Sequence, residues 1–160
     1  MDKKLSVIGD IYSEEVFKVI LDYEIARAKR YPTPMSLLCL EIIPQAKNQE
    51  TLQAGSNLFA SAIKQYMRSA DIPCVNGKVF KILLPSTNQD NLNSTCERML
   101  ALFTKEFETD DGETISFSLY IGGTTQEGGE TLSRDQLLEK SQSAMNQSKE
   151  KGINTYVVLV

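Results

Sequence analysis

Any chemistry in this chain depends on carboxylates, lysine or a bound metal ion, because the sequence contains no histidine. The lack of histidine excludes Ser-His-Asp catalysis, Cys-His catalysis and metal sites of the HExxH type. Cys39, Cys74 and Cys96 are odd in number, far apart in the sequence and not arranged as CxxC. We therefore expect them to be buried reduced thiols and not ligands of a metal or partners in redox chemistry.

The composition indicates one folded domain that does not bind nucleic acid or insert into membranes. The chain has 160 residues, of which 41% are hydrophobic and 24% charged, and its formal net charge is -4. An acidic chain is poorly suited to bind phosphate backbones. The longest apolar run, over residues 35–43, is too short to span a bilayer, and no signal-peptide pattern opens the sequence. We expect a single cytoplasmic domain over residues 1–160, with a helix and lead-in segment over 1–31 and a core over 35–160.

Hydrophobic periodicity and turn residues divide the first half of the chain into alternating helices and strands. Ser13, followed by two glutamates, predicts the start of a helix that ends near Arg30. The continuous apolar run over 35–43 predicts a strand that is covered on both faces. A polar loop over 45–53 and a second helix with an apolar face follow. Asn76-Gly77 then separates two apolar segments, 72–75 and 79–84, which predicts a β-hairpin.

The second half is predicted to contain two more helices and two more strands. A third helix covers 88–107, a strand covers 114–121 after a turn at Asp111-Gly112, and a loop covers 122–129. Ser133 and Gln136 have the spacing of a capping box for a fourth helix that ends near Gly152, and a last strand covers 156–160. The order after the first helix, β-α-β-β-α-β and then α-β, predicts an α/β fold. It has a ferredoxin-like core, an added helix and strand, and a mainly antiparallel sheet flanked by helices.

From about residue 6 to its end the chain resembles the GGDEF domains of diguanylate cyclases. Short motifs occur in the family's order: IGDIYS at 8–13, ARAKRY at 26–31 with PMSLL at 34–38, FKILLP at 80–85, SFSLYIG at 116–122 and KEKGIN at 149–154. The resemblance implies the palm-type fold of nucleotide cyclases. It also implies an activity in which two GTP molecules, one on each half of a dimer, are joined into cyclic di-GMP with the help of a divalent cation.

The signature motif of the family departs from its usual sequence in a way that argues against catalysis. The resemblance places one metal-binding acid at Glu41 and the other in the signature, which here is Asn76-Gly77-Lys78-Val79-Phe80. Lys78 and Val79 thus replace two acids, and a lysine repels a divalent cation at the place where the family attracts it. The sequence therefore predicts no metal site, no cofactor and no enzymatic activity.

Other departures fall in the parts of the family site that hold the nucleotide. The loop over 44–50, where the family binds guanine, is about five residues shorter than expected, and Ile153 replaces an arginine. Lys149 occupies the position of a phosphate-binding lysine, but the alternative interpretation is a solvated lysine at a helix end. Glu41 likewise is interpreted either as a surviving metal ligand or as an acid that reaches solvent or pairs with Lys78.

A second, regulatory site of the family has a counterpart in this chain. Its RxxD motif corresponds to Arg68 and Asp71, just before the hairpin, and a further arginine to Arg98. Guanidinium groups bind phosphate or guanine with paired hydrogen bonds, and a carboxylate can accept from guanine. The alternative is a local ion pair at a helix end, with Arg98 in solvent.

Three functional hypotheses follow. The first is a regulatory module that binds cyclic di-GMP through Arg68, Asp71 and Arg98. The second is an interaction module that needs no nucleotide and forms a homodimer or binds a signalling protein. The third, a residual GTP binder or cyclase, is the one that the substitutions disfavour.

Overall fold

The computed structural model describes residues 4–5 and 11–160, so residues 8–10 of the first motif lie outside the described part. Within it, five helices and seven strands follow one another. They are β1 (Lys4–Leu5), α1 (Glu14–Arg30), β2 (Met35–Gln45), α2 (Gln49–Gln53), α3 (Gly55–Tyr66), β3 (Ile72–Asn76), β4 (Val79–Pro85), α4 (Gln89–Phe103), β5 (Phe107–Thr109), β6 (Thr114–Gln126), α5 (Arg134–Lys151) and β7 (Thr155–Leu159). No helix in the described residues is long and apolar enough to cross a membrane.

Strand β2 lies at the centre of the sheet, as its continuous apolar sequence predicts. The strand order is β1-β5-β6-β2-β4-β3, and β2 runs antiparallel to both β4 and β6. On its other edge β6 pairs first with β5 and then, in parallel, with β7. The predicted ferredoxin-like core with an added helix and strand is confirmed, and the sheet is mainly antiparallel.

Helices cover both faces of this sheet. Alternate residues of β2 point to opposite sides, so that Leu38, Leu40 and Ile42 enter one core cluster with residues of α3 and α4. Met35 and Leu37 belong to a second cluster with residues of α1 and α5. The first cluster is rich in aromatic edge-to-face contacts around Phe59, Phe80, Phe103 and Phe117. This packing fixes the ends of α3, α4 and α5, where the charged residues of interest are found.

Local capping and turn signals were good predictors of where elements begin. The hydroxyl of Ser13 accepts a hydrogen bond from the backbone N–H of Val16, and α1 starts at the next residue. In the hairpin between β3 and β4, Gly77 adopts φ 64°, a left-handed conformation that glycine reaches at no steric cost. The predicted hairpin is therefore confirmed at Asn76-Gly77.

The predicted loop over 122–129 is wrong in its first half, because β6 continues to Gln126. Gly122 and Gly123 look like chain breakers in the sequence, but they lie inside the strand. A Cβ on Gly122 would overlap the backbone of α5, with Cα of Met145 only 2.6 Å away. Gly122 is required because helix α5 packs directly on the strand, which no local pattern reveals, whereas a Cβ on Gly123 would meet the side chains of Leu38 and Leu92.

Three smaller predictions also need correction. The loop over 45–53 contains the short helix α2, which Asn48 caps. The third helix ends at Phe103 and not at residue 107, since Phe107–Thr109 forms β5, which pairs with β6 and with β1. The capping box at Ser133 is only half formed: its hydroxyl accepts from the N–H of Gln136, but its own N–H donates to Gln126.

Candidate functional site

Two groups of predicted site residues lie at different places on the molecule. The first surrounds the hairpin turn and the end of β2, where Glu41 is registered with Val79 on β4 and with Tyr120 on β6. The backbone N–H of Ile42 donates to the carbonyl of Lys78 at 3.0 Å, which ties the turn to β2. The core side chain of the signature, Phe80, is fully buried. The signature residues thus form an ordinary, well-packed hairpin next to Glu41.

The side chain of Glu41 is engaged by a lysine, but not by the lysine that the sequence suggested. Nζ of Lys149, in the last turn of α5, donates to Oε1 of Glu41 at 2.7 Å. Lys78 is exposed and forms no ion pair with any described residue. Glu41 therefore pairs with Lys149 and not with Lys78, and 38% of the Lys149 side chain stays exposed to solvent.

This set of groups does not fit a magnesium ion. Mg²⁺ requires several oxygen ligands, of which carboxylates are the protein's usual contribution. Here one carboxylate is present, it is neutralised by the ammonium group of Lys149, and a second ammonium group is carried by Lys78 on the adjacent turn. In the described residues no cluster of three or more acidic, cysteine or histidine side chains has a geometry that could hold a metal.

The second group is a cleft between the end of α3 and one face of α4. Arg68, Asp71 and Arg98, which the sequence suggested as a ligand site, all line it, and its volume is about 330 Å³. Its remaining lining residues are Tyr66, Leu84, Thr87, Asn91, Ser94 and Thr95. The structure therefore brings the three residues to one place, although Arg98 is far from the other two in sequence.

Arg68 is held in a fixed orientation at the mouth of this cleft. Its Nη2 lies 2.8 Å from Oδ1 of Asp71, and the same nitrogen donates to the carbonyl of Pro85 and to the hydroxyl of Thr87. Its Nε also donates to Asp71. All these contacts use Nε and Nη2, so that within the described residues both hydrogens of Nη1 are without a partner. Thus Arg68 combines a fixed position with free donors.

Asp71 is largely buried and supports Arg68. Only 6% of its side chain is accessible, and Oδ2 accepts a further hydrogen bond from the backbone N–H of Arg68. The local ion pair between Arg68 and Asp71, the alternative to a ligand site, is therefore formed. It does not exclude ligand binding, because the pair leaves 56% of the Arg68 side chain exposed. In this state Asp71 orients Arg68.

Arg98 forms the opposite side of the cleft. Its guanidinium carbon lies 5.7 Å from the centre of the Tyr66 ring, a cation–π distance. Burial raises the pKa of the Tyr66 phenol, and the nearby charge of Arg98 opposes that shift without reversing it. The ring is thus a neutral platform at physiological pH, and Arg98 presents its planar group above it.

Comparison with known proteins identifies the family of the chain. A family model described as "Diguanylate cyclase, GGDEF domain" matches residues 7–155. The chain belongs to the GGDEF domain family. Among curated proteins no match was found.

Solved structures of GGDEF domains have the same fold as this one. The GGDEF domain of DgcB from Caulobacter crescentus, in complex with c-di-GMP, has a TM-score of 0.77 at 16% identity and covers 99% of this chain and 96% of its own. The active GGEEF domain of a diguanylate cyclase from Vibrio cholerae has a TM-score of 0.72 at 18% identity, with coverages of 92% and 96%. The diguanylate cyclase SiaD from Pseudomonas aeruginosa, in complex with its activator SiaC, has a TM-score of 0.72 at 18% identity. The match covers 93% of this chain and 59% of the SiaD chain.

In this GGDEF domain the sequence alone missed much of the cleft lining. Asn91, Ser94 and Arg98 are spaced by three and four residues, which places them on one face of α4. That spacing was a usable signal. No local pattern pointed to Thr87, which reaches Arg68 across 19 residues from the turn after β4.

Proposed function

We propose that this GGDEF domain binds cyclic di-GMP in the cleft of Arg68, Asp71 and Arg98, and that it does not synthesise it. The observation that carries the proposal is the convergence of these three residues on one cleft of about 330 Å³. The domain would then act as a receptor, and its occupied and empty states would be read by a partner.

The chemistry of the cleft suits a cyclic dinucleotide. Such a ligand presents two phosphodiester anions and two planar bases with hydrogen-bonding edges. The fixed Arg68 offers the two hydrogens of Nη1 to phosphate or to a guanine edge. Arg98 offers a planar cation on which a base can stack. The two positive charges of the arginines outnumber the single negative charge of Asp71, so the net charge of these three residues favours binding of an anion.

The altered signature supports the second half of the proposal. Synthesis in this family depends on a cation between the nucleotide phosphates and protein carboxylates. In this chain Lys78 stands in the signature, and Glu41 is hydrogen-bonded to Lys149. Because of the two lysines, this region would attract an anion but not a metal ion. The shortened segment after β2 removes the expected guanine contacts. The related DgcB domain was solved in complex with c-di-GMP, so the fold is compatible with this ligand.

Isothermal titration with cyclic di-GMP tests the proposal. We expect saturable heat with a dissociation constant of about 1–50 micromolar, equivalent to a binding free energy of roughly -8 to -6 kcal/mol. Arg68→Ala removes the donors of Nη1 and is expected to abolish the heat. Arg134→Ala is the matched control, because it removes another exposed arginine, one that pairs with Asp22 away from the cleft. Absence of heat for the wild-type chain would refute the receptor role.

A second candidate function is protein interaction without a nucleotide. It is favoured by a specific observation, the exposed apolar side chains of Val16, Val19 and Tyr23 on the outer face of α1. The related diguanylate cyclase SiaD was solved in complex with an activator protein, so a domain of this fold is compatible with a protein partner.

A further inference from the structure

The outer face of helix α1 carries large apolar side chains that its own domain does not cover. Val19 and Tyr23 are 70% and 69% exposed, and Val16 is 45% exposed. Ala26 is exposed one turn further on. Single exposed apolar residues are common on protein surfaces. Here they form one continuous line, which is typical of an interaction surface. We call residues 16, 19, 23 and 26 the α1 strip.

The spacing of the α1 strip matches that of a helix-pairing seam. Its members are separated by three, four and three residues, which is the repeat of about 3.5 residues that two packed helices share. The opposite face of the same helix, with Phe17, Leu21 and Ile25, is buried in the core. The helix is therefore apolar on two faces, and only one of them is used within the domain.

The first and last turns of α1 carry charges of opposite sign. Glu14 and Glu15 lie in its first turn, whereas Arg27, Lys29 and Arg30 lie in its last turn. Two such helices side by side in parallel would place like charges together at both ends. In antiparallel arrangement each acidic end meets a basic end, and the helix dipoles also oppose each other favourably. The helix is thus complementary to an inverted copy of itself.

We infer that the α1 strip is the contact surface for a second copy of this chain, packed antiparallel about a twofold axis near the middle of α1. In that arrangement Val19 of one copy faces Tyr23 of the other, and Val16 faces Ala26. Glu15 and Lys29 flank the seam and meet across it at both ends. A twofold interface of this kind is self-complementary and closes after two copies.

One charge lies close to the proposed axis. Asp22 borders the strip and would approach its counterpart in the second copy. Its carboxylate is already paired within the domain, because Nη1 of Arg134 lies 2.8 Å from its Oδ1. The neighbouring Ile20 is half-buried and adds apolar area beside the axis. The centre of the seam therefore does not bring two unpaired anions together.

The size of the surface sets the expected strength. Helix α1 has 17 residues and is about 25 Å long, so the pair has little more than two heptads of seam. Interfaces of that size fall at the lower end of specific protein contacts. We therefore expect a reversible dimer that forms at micromolar concentrations and above.

Sedimentation analysis of the full chain without nucleotide tests the surface. We expect a monomer–dimer equilibrium over about 10–500 micromolar, and Val19→Asp should raise the dimer dissociation constant by at least about tenfold. Ile153→Asp is the matched control, since that residue is apolar and 54% exposed but lies outside the strip. Circular dichroism checks that each variant is folded. A chain that stays monomeric at all concentrations, or an unchanged equilibrium in Val19→Asp, would overturn the proposal.

A charge exchange tests the antiparallel direction. Glu15→Lys and Lys29→Glu should each weaken the dimer, because each places like charges across the seam. The double variant restores opposite charges and should recover most of the wild-type association, although both exchanges oppose the helix dipole. In a parallel pair these two positions lie at opposite ends and cannot rescue each other, so additive weakening in the double variant would refute this geometry. Since no nucleotide is present, the result is independent of cyclic di-GMP binding.

Discussion

Nζ of Lys149 lies 2.7 Å from Oε1 of Glu41, although the two residues are 108 positions apart in the chain. The contact joins the last turn of α5 to β2 beside the signature hairpin. An exposed ion pair of this kind contributes only about 0–1 kcal/mol to stability. Its importance is chemical, because the carboxylate that the resemblance places at a metal-binding position is hydrogen-bonded to an ammonium group.

The first prediction concerns Lys78→Glu, which restores an acid to the signature. We expect that neither the wild-type chain nor this variant makes cyclic di-GMP from GTP and magnesium. The acid alone is insufficient, since Glu41 stays paired with Lys149 and the segment after β2 lacks the expected guanine contacts. Chromatography and mass spectrometry of the incubated mixture would measure the product, with an active diguanylate cyclase as control. Turnover by Lys78→Glu would show that the argument from the short segment is wrong.

The second prediction concerns Asp71, the residue that orients Arg68. Asp71→Asn keeps the side-chain shape but removes the charge that holds the guanidinium group. We expect the dissociation constant for cyclic di-GMP to rise by about three- to tenfold, equivalent to about 0.6–1.4 kcal/mol, whereas Arg68→Ala removes binding altogether. Titration calorimetry measures both, and Asp22→Asn serves as control because it also removes an acid paired with an arginine. Equal affinity in Asp71→Asn and wild type would contradict a positioning role.

The elements that could be predicted from the sequence are those with local causes. Ser13 caps α1 and Asn76-Gly77 makes the hairpin turn because neighbouring backbone groups alone decide these features. The apolar run of β2 likewise requires cover on both faces wherever it lies. The end of strand β6 could not be predicted in this way, because the reason for a glycine at position 122 is the close packing of α5, which is not a local feature.

The site shows the same division. Arg68 and Asp71 are three residues apart and form their pair locally, so the motif could be read directly. The partners that complete each site come from elsewhere: Thr87 for Arg68, and Lys149 for Glu41. Such contacts depend on the three-dimensional arrangement of helices and strands. The sequence could therefore name candidates but not say which charges neutralise one another.

The third prediction tests the close packing of α5 on β6. Gly122→Ala would place a methyl group against the backbone of Ala144 and Met145, which cannot move without shifting the helix. We expect a loss of at least about 3 kcal/mol in the free energy of unfolding, the upper range for overpacking. Gly123→Ala is the matched control, since its new Cβ would meet only side-chain ends, that of Leu38 at 3.0 Å and that of Leu92 at 3.3 Å. Urea unfolding measures both; equal losses would contradict the backbone clash.

The fourth prediction concerns the three cysteines, whose buried location the structure confirms. Burial raises the pKa of Cys39 and Cys74 from the ordinary value of 9.0 to about 11, and that of Cys96 to about 12. Only the thiolate reacts with thiol reagents, so we expect labelling of the folded chain at about pH 8 to be at least about 100-fold slower than labelling in urea. Rapid labelling of the folded protein would be inconsistent with this burial.

The same shifts predict how the stability changes at alkaline pH. Above about pH 9 the unfolded chain loses its thiol protons while the folded chain keeps them, so the folded state binds more protons. The stability that the buried thiols contribute is therefore complete below about pH 9 and is lost as the pH rises through about 11 to 12. Urea unfolding at a series of pH values measures this loss. Cys39→Ala removes one titrating thiol and should make the decline shallower, whatever its effect at neutral pH. An identical decline in that variant would show that the Cys39 thiol does not take part.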